Sequence, residues 1–225
     1  MKYYPICLRI EGRRCLVVGG GKVAESKVRG LLDSGAGVVV ISPELTDGLA
    51  KLQKEGVIAW KARGYQQGDA VGFFLVMAAT DTVEVQDLVQ ADAERYHILL
   101  NVADVPDKCN FILPALVQRG PLSLAISTSG KSPALAKKLR QELEGWLGKE
   151  YELATEAMGL IRPTVLLKNL PQVENEKIFQ GLLDGGILEI ISRRDWPALQ
   201  TYLERGLQQE LPDELAESLK KLFSR

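Results

Sequence analysis

The sequence predicts an α/β protein: a doubly wound parallel sheet, then a small β-hairpin and helix segment, then a helical C-terminal domain. Three observations carry this. Up to about residue 112, short apolar runs alternate with longer segments of helical periodicity, the pattern of βαβ units with right-handed crossovers. The alternation then gives way to two short runs meeting at Arg119-Gly120-Pro121, which reads as a hairpin. Beyond about residue 151 strand patterns are hard to find. The expected domains are 1–112, 113–148 and 149–225.

Element by element, Arg14 to Val18 reads as a buried strand, and Lys22 to Ser34 as a helix with Val23, Lys27 and Leu31 on one line. Gly35-Ala36-Gly37 ends that helix, and VVVI at 38–41 is β-branched and continuous, as a strand buried on both faces should be. A helix is expected over 44–55, strands over 57–62 and 72–80, a helix over 82–95 and a strand over 98–103. Thr80 or Asp81 is placed to N-cap the helix before 95. Ser132-Pro133 supplies an N-cap with proline in the first turn, launching a long amphipathic helix. Helices over 149–160, 171–184, 197–209 and 213–223 complete the chain.

Bulk properties exclude several classes of function. Apolar residues make up 46%, charged residues 25%, and the net charge is −1, so no basic field argues for nucleic acid or an anionic membrane surface. No run approaches the ~18 unbroken apolar residues of a membrane span. Three scattered cysteines, Cys7, Cys15 and Cys109, lack metal-ligand spacing, and the amino terminus is not built like a signal peptide. Reduced thiols and a cytoplasmic location are expected. His97 is the sole histidine, so no Ser-His-Asp triad or multi-histidine metal site is available, and no metal site is expected.

The stretch LVVGGGKVA at 16–24 carries the first chemistry. Gly19-Gly20-Gly21-Lys22-Val23-Ala24 fits G-x-G-x-x-G/A between a strand and a helix, the Rossmann-type dinucleotide fingerprint. There the first glycine makes the turn, Gly21 lets a pyrophosphate approach, and the helix start attracts the anion. A tight turn with no ligand is the competing reading. The place of the usual ribose-binding acid reads Ser42-Pro43-Glu44, without an arginine for a 2′-phosphate, which favours NAD over NADP. Ala79 and Thr80, small residues at a strand's carboxyl end, leave room for the same cofactor. Asp104, closing the strand that carries Asn101, reads either as a proton donor or acceptor or as a loop carboxylate capping a turn before Pro106. The loop Ser127-Thr128-Ser129-Gly130-Lys131-Ser132 precedes a helix and suits an anionic substrate; Ala125 stands where a P-loop needs glycine, so it is no NTPase motif. Asn101, Thr128, Ser129 and Lys131 are the candidate substrate contacts.

Taken together and in order, YPICLRIEGRRCLVVGGGKVAESKVRGLL, FFLVMAATD, NVADVPDKCNFILPA and AISTSGKSPALAKKLRQELE resemble the siroheme synthase amino-terminal family over about residues 3–145. The pattern NVAD-x-P-x-x-C-x-F is far more specific than the glycine loop. The resemblance implies NAD-dependent dehydrogenation of precorrin-2 to sirohydrochlorin, with Asp104 as general base or acid. It implies a cofactor on Gly19 to Val23, with Ser42, Pro43 and Glu44 toward the adenosine and Ala79-Thr80 toward the pyrophosphate or nicotinamide. It also implies a homodimer interlocked through 112–145; the resemblance does not reach residues 150–225, and from its position alone the helical region is expected to close over the tetrapyrrole. Because precorrin-2 is a polycarboxylate, Arg119, Lys131, Lys137, Lys138 and Arg140 become candidate partners, Lys131 foremost. Two alternatives stand beside this: a bifunctional enzyme that also inserts ferrous iron, and a non-catalytic NAD-binding regulator. Thr128 matches a position that can carry phosphoserine in fused members, and no appended methyltransferase module is expected.

Overall fold

The computed structural model describes residues 3–224. They fall into two compact units that divide between Leu113 and Pro114.

In the first unit the chain runs β1 (Arg14–Val18), α1 (Lys22–Asp33), β2 (Gly37–Ile41), α2 (Asp47–Lys54), β3 (Ile58–Lys61), β4 (Leu75–Ala78), α3 (Val83–Tyr96) and β5 (Leu99–Val102), ending in a 3₁₀ turn at Pro106–Lys108. The five strands are all parallel, in the order β3-β2-β1-β4-β5. Winding therefore reverses between β1 and β4. Cys15 to Val18 and Leu75 to Ala78 are buried throughout, because both faces of these central strands are covered. One face packs Ala24, Val28, Leu31 and Leu49 against the sheet. The other packs Val89 and Ala93 of α3 with Tyr65, Ala70 and Phe73.

Those last three lie in the β3–β4 connection, which crosses the sheet without a helix. Two carboxylates hold it instead. Asp69 accepts a two-pronged bond from Arg63 (2.6 and 2.7 Å), one from Lys61 (3.3 Å) and one from the Gln66 N–H (2.9 Å). Asp92 of α3 accepts from the Tyr65 hydroxyl (2.5 Å) and the Gly68 N–H (2.6 Å). The guanidinium of Arg63 keeps the Asp69 carboxyl well below the usual carboxylate range. Burial, then the bond to Asp92, pushes the Tyr65 hydroxyl far above the ordinary phenol range.

The second unit opens with the antiparallel hairpin β6 (Ala115–Arg119) and β7 (Leu122–Ile126). Helices follow: α4 (Pro133–Trp146), α5 (Lys149–Leu166), α6 (Gln172–Asp184), α7 (Ile187–Ser192), α8 (Trp196–Leu207) and α9 (Asp213–Phe223). Ser132 caps α4 through the Leu135 N–H, with proline in its first turn. Arg119 ties the hairpin to the end of α4 by donating to the carbonyls of Glu144 and Leu147, both at 2.7 Å. Residues of α5, α7, α8 and α9, with Leu182 of α6, form one apolar core.

Two expectations need adjusting. Thr46, not Glu44, starts α2, because its hydroxyl accepts from Leu49 N–H and caps the helix. The N-cap of α3 is Thr82 rather than Thr80 or Asp81; Thr80 Oγ1 instead accepts from the Thr82 N–H at 3.3 Å. Val23 is 50% exposed while Ala24, Val28 and Leu31 fill the core side of α1.

Candidate active site

Three chain segments converge where the sheet's winding reverses. Gly21, Lys22 and Val23 leave β1, Ala79, Thr80 and Asp81 leave β4, and Ala103, Asp104 and Val105 leave β5; with Gln86 of α3 they line a cavity of about 430 Å³. The crevice outside the carboxyl ends of the strands, at a topological switch point, is where open α/β sheets bind ligands.

The three glycines have separate tasks. Gly19 adopts φ 116°, and a Cβ there would collide with the Ala79 carbonyl oxygen. A Cβ on Gly20 would collide with the Glu44 carbonyl oxygen and lie 2.7 Å from Ser42 Oγ. The 42–46 loop is thus seated directly on Gly20, and the Thr46 N–H donates to the Gly20 carbonyl at 2.9 Å. Gly21 differs: a Cβ there meets nothing within 4 Å, although the residue borders the cavity. Its missing side chain is open space on the ligand side. Gly21 is also the N-cap of α1, and no side chain caps that helix. The first N–H groups of α1 are left for solvent or an anion. Glu25, the acid of this first turn, is turned aside. Its carboxylate accepts from Thr46 Oγ1 and Arg29, both at 2.6 Å, and the Thr46 bond leads in lowering its pKa.

The other two walls are braced from behind. Gln86 is buried and donates to the Thr80 carbonyl at 2.8 Å. Lys108 reaches across to Gln86 Oε1 (3.4 Å) and Asp87 (2.5 Å), joining the 3₁₀ turn to α3. Asp104 itself is exposed and takes a left-handed backbone, φ 59°, a conformation that aspartate tolerates better than most residues. Beneath it, Asn110 and Cys109 serve as a partner strand for the outer edge of β5. Asn110 accepts from the Leu100 N–H and donates to the Ile98 carbonyl, both at 2.8 Å. Cys109 Sγ accepts from the Val102 N–H at 3.1 Å. These bonds satisfy groups that an edge strand would otherwise leave unpaired.

Of the sequence-derived candidates, Gly21, Lys22, Val23, Ala79, Thr80 and Asp104 share the cavity wall. Gly19 and Gly20 shape it from beneath. Ser42 is buried against Gly20, with Pro43 and Glu44 exposed beside it on the same edge. Asn101 is buried, its amide donating to the Phe111 carbonyl at 3.2 Å. Thr128, Ser129 and Lys131 belong to the second unit, where Thr128 Oγ1 accepts from the Ser132 N–H at 3.1 Å. Arg119 is occupied by carbonyls, Arg140 pairs with Glu144 and Lys138 with Glu142. Among the described residues Lys131 forms no ion pair.

Sequence reading missed Gln86, Lys108 and Asn110. Gln86 had a faint signal: it shares the buried stripe of α3 with Val89 and Ala93, where a polar residue needs a partner.

Residues 6–115 match a family model described as putative NAD(P)-binding, and residues 119–145 match one described as the central part of a sirohaem biosynthesis protein. Siroheme synthase 3 of Aeromonas hydrophila is 40% identical over 196 residues, 87% of this chain and 42% of its own length. The siroheme synthase of Azotobacter vinelandii is 35% identical over 218 residues, 96% of this chain and 47% of its own. This chain belongs to the siroheme synthase amino-terminal family. It spans less than half the length of these relatives. Among solved structures, a precorrin-2 dehydrogenase, SirC, superposes with a TM-score of 0.73 at 25% identity, covering 97% of this chain and 100% of that one. The sheet, the hairpin and the helical region are thus an architecture this family member shares with SirC.

Proposed function

We propose that this chain is an NAD-dependent precorrin-2 dehydrogenase of siroheme biosynthesis, working in the cytoplasm as a homodimer. The observation that carries the reading is that Asp104 and the glycine loop line one cavity. The residues there fit a nicotinamide dinucleotide: Gly21 leaves open the space a side chain would fill, and the uncapped start of α1 offers N–H donors to a pyrophosphate. Lys22 adds a cation at the same point, and Ala79 and Thr80 form the facing wall. The bound nicotinamide supplies a hydride acceptor.

The protein's own part is positioning and one proton transfer. Oxidation of precorrin-2 removes two hydrogens: one leaves as hydride and the other as a proton. Asp104, exposed and lining the cavity, takes that proton at a carboxylate oxygen. NAD is favoured over NADP because Ser42-Pro43-Glu44 follows β2 without a cation. The cations at the end of the neighbouring strand, Lys61 and Arg63, are both bonded to Asp69. Lys131 and its loop, with Thr128 and Ser129, are proposed to meet the substrate's carboxylates, and Asn101 is proposed as a further substrate contact. The dimer reading is supported by exposed apolar side chains within the second unit, Leu116, Leu135, Leu139 and Trp146, which a second copy would cover.

The test is an anaerobic assay of precorrin-2 with NAD, following sirohydrochlorin by absorbance, for wild type and Asp104→Asn. We expect NAD binding to survive the substitution and turnover to fall at least ~100-fold, the scale of a lost general base. Wild-type protein that binds NAD and leaves precorrin-2 unchanged would overturn the proposal.

A further inference from the structure

We infer that Cys109 is a positioning residue, its thiol fixing the left-handed turn that presents Asp104 to the cavity. This rests on the proton-transfer role proposed for Asp104. A non-glycine residue at positive φ persists only where its surroundings over-determine it. On one side Asp104 is anchored by the sheet: β5 pairs with β4 as far as Val102, and the Ala103 N–H donates to the Ala78 carbonyl at 2.8 Å. On the other side the chain turns back past β5, the edge strand of the sheet. The Val105 N–H reaches the Val102 carbonyl only at 3.4 Å, a weak closure for a catalytic loop.

The sulfur of Cys109 supplies what is missing. It accepts from the Val102 N–H at 3.1 Å and lies 3.3 Å from both the Val102 and Val105 carbonyl oxygens, to which its one S–H proton is shared. The thiol thereby bridges the two residues flanking Ala103-Asp104. Cys109 is itself held: its N–H donates to the Pro106 carbonyl at 3.1 Å, and Asn110 next to it is bonded to Ile98 and Leu100. The Lys108 bonds to Asp87 and Gln86 hold the outer side of the same turn. Asp104 stands between the two clamps and lines the cavity. Cys109 is not among the residues that line the cavity; its sulfur meets Val105, which is, and accepts from the Asn101 amide at 3.7 Å, so its effect on chemistry passes through the backbone around Asp104.

The test compares Cys109→Ala, which removes the bonds, with Cys109→Ser, whose hydroxyl can accept and donate in the same place. Cys109→Val, filling the volume without those bonds, replaces the alanine variant should that fail to fold. Each is measured for NAD affinity, and for kcat and KM with precorrin-2. We expect Cys109→Ala to lower kcat at least ~10-fold with KM and NAD affinity within about twofold, and Cys109→Ser to recover most of kcat. Three results overturn the inference: kcat of Cys109→Ala within about twofold of wild type, NAD affinity falling in step with kcat, or a serine variant as slow as the alanine one. Wild type inert toward precorrin-2 overturns the dehydrogenase reading and the inference with it. Active wild type with an unaffected Cys109→Ala variant overturns the inference alone.

Discussion

Replacing Gly20 and Gly21 separately by alanine should give two opposite phenotypes from adjacent positions. At Gly20 the new methyl group runs into the Glu44 backbone and lies 2.7 Å from Ser42 Oγ. Because the obstruction is backbone, relief requires the 42–46 loop to lift, breaking the Thr46 to Gly20 bond and exposing the edge of the sheet. Overpacking of this kind costs about 2 kcal/mol or more. For a unit of this size that is a fall of roughly 8–15 °C in its unfolding temperature. At Gly21 the methyl group meets no atom, and the extended backbone (φ −83°, ψ −173°) is open to any residue. The cost to the fold is the difference between glycine and alanine at an N-cap, under about 1 kcal/mol. The methyl group does occupy space bordering the cavity, so NAD affinity should fall at least ~10-fold, or about 1.4 kcal/mol. Thermal unfolding by circular dichroism and NAD titration by calorimetry separate the two. A Gly21→Ala variant that is stable and binds NAD like wild type would refute the assignment of that space to the cofactor. A Gly20→Ala variant unfolding at the wild-type temperature would refute the packing argument.

Other perturbations test the frame around the site. Asp69 has a depressed folded-state pKa, so its contribution to stability is complete above the unfolded carboxylate pKa, about 4, and is lost as pH falls below it. Asp69→Asn should cost about 2 kcal/mol at neutral pH, since charged hydrogen bonds are lost, and should flatten the acid limb of a stability-against-pH curve; an unchanged limb would remove Asp69 from that role. Tyr65→Phe leaves the Asp92 carboxylate, 1% exposed, with the Gly68 N–H as its remaining bond. Urea unfolding should show a loss of about 2–4 kcal/mol, and a change under 0.5 kcal/mol would count against it. Burial pushes the Cys15 thiol up to about 11, whereas Cys7 is exposed. A thiol reagent at pH 8 should therefore modify Cys7 within the folded protein and Cys15 only after unfolding; rapid labelling of Cys15 would contradict its place in the core.

The parts of the molecule legible in the sequence are those where a local pattern and its structural cause coincide. β1 is found over the expected residues because Arg14 to Val18 is bounded by glycines and apolar on both faces. The start of α4 follows from Ser132-Pro133 alone. The helix over 187–192 was not anticipated: ILEIIS is short and apolar on more than one side, so periodicity cannot distinguish it from a strand, and its start, Gly186 at φ 93°, lacks a capping side chain. Val23 shares a helical line with Leu31, yet it is 50% exposed and lines the cavity, because the first turn of α1 lies beyond the cover of the sheet. The 72–80 strand is shorter than its apolar run because Gly72 and the turn before it bend the chain away until Leu75.

The site was legible to a different depth. The glycine loop and Asp104 lie at strand ends, and any parallel sheet wound this way brings strand ends together. What the pattern could not convey is which polar groups are used up by the fold. Glu25, Asp87 and Lys108 look like candidates as good as Lys22, Asp81 and Asp104, and each lies within the same loops or helix starts. The first three are bonded away from the cavity, to Thr46 and Arg29 or to one another, whereas among the described residues the last three form no ion pair and line the cavity. That division depends on side chains meeting across long stretches of sequence, Glu25 with Thr46 and Lys108 with Asp87. It also has a chemical consequence. Charges held by bonds behind the wall fix the loops, and charges without partners remain available to a ligand without first breaking a bond in the protein, which is the arrangement a preorganised site requires.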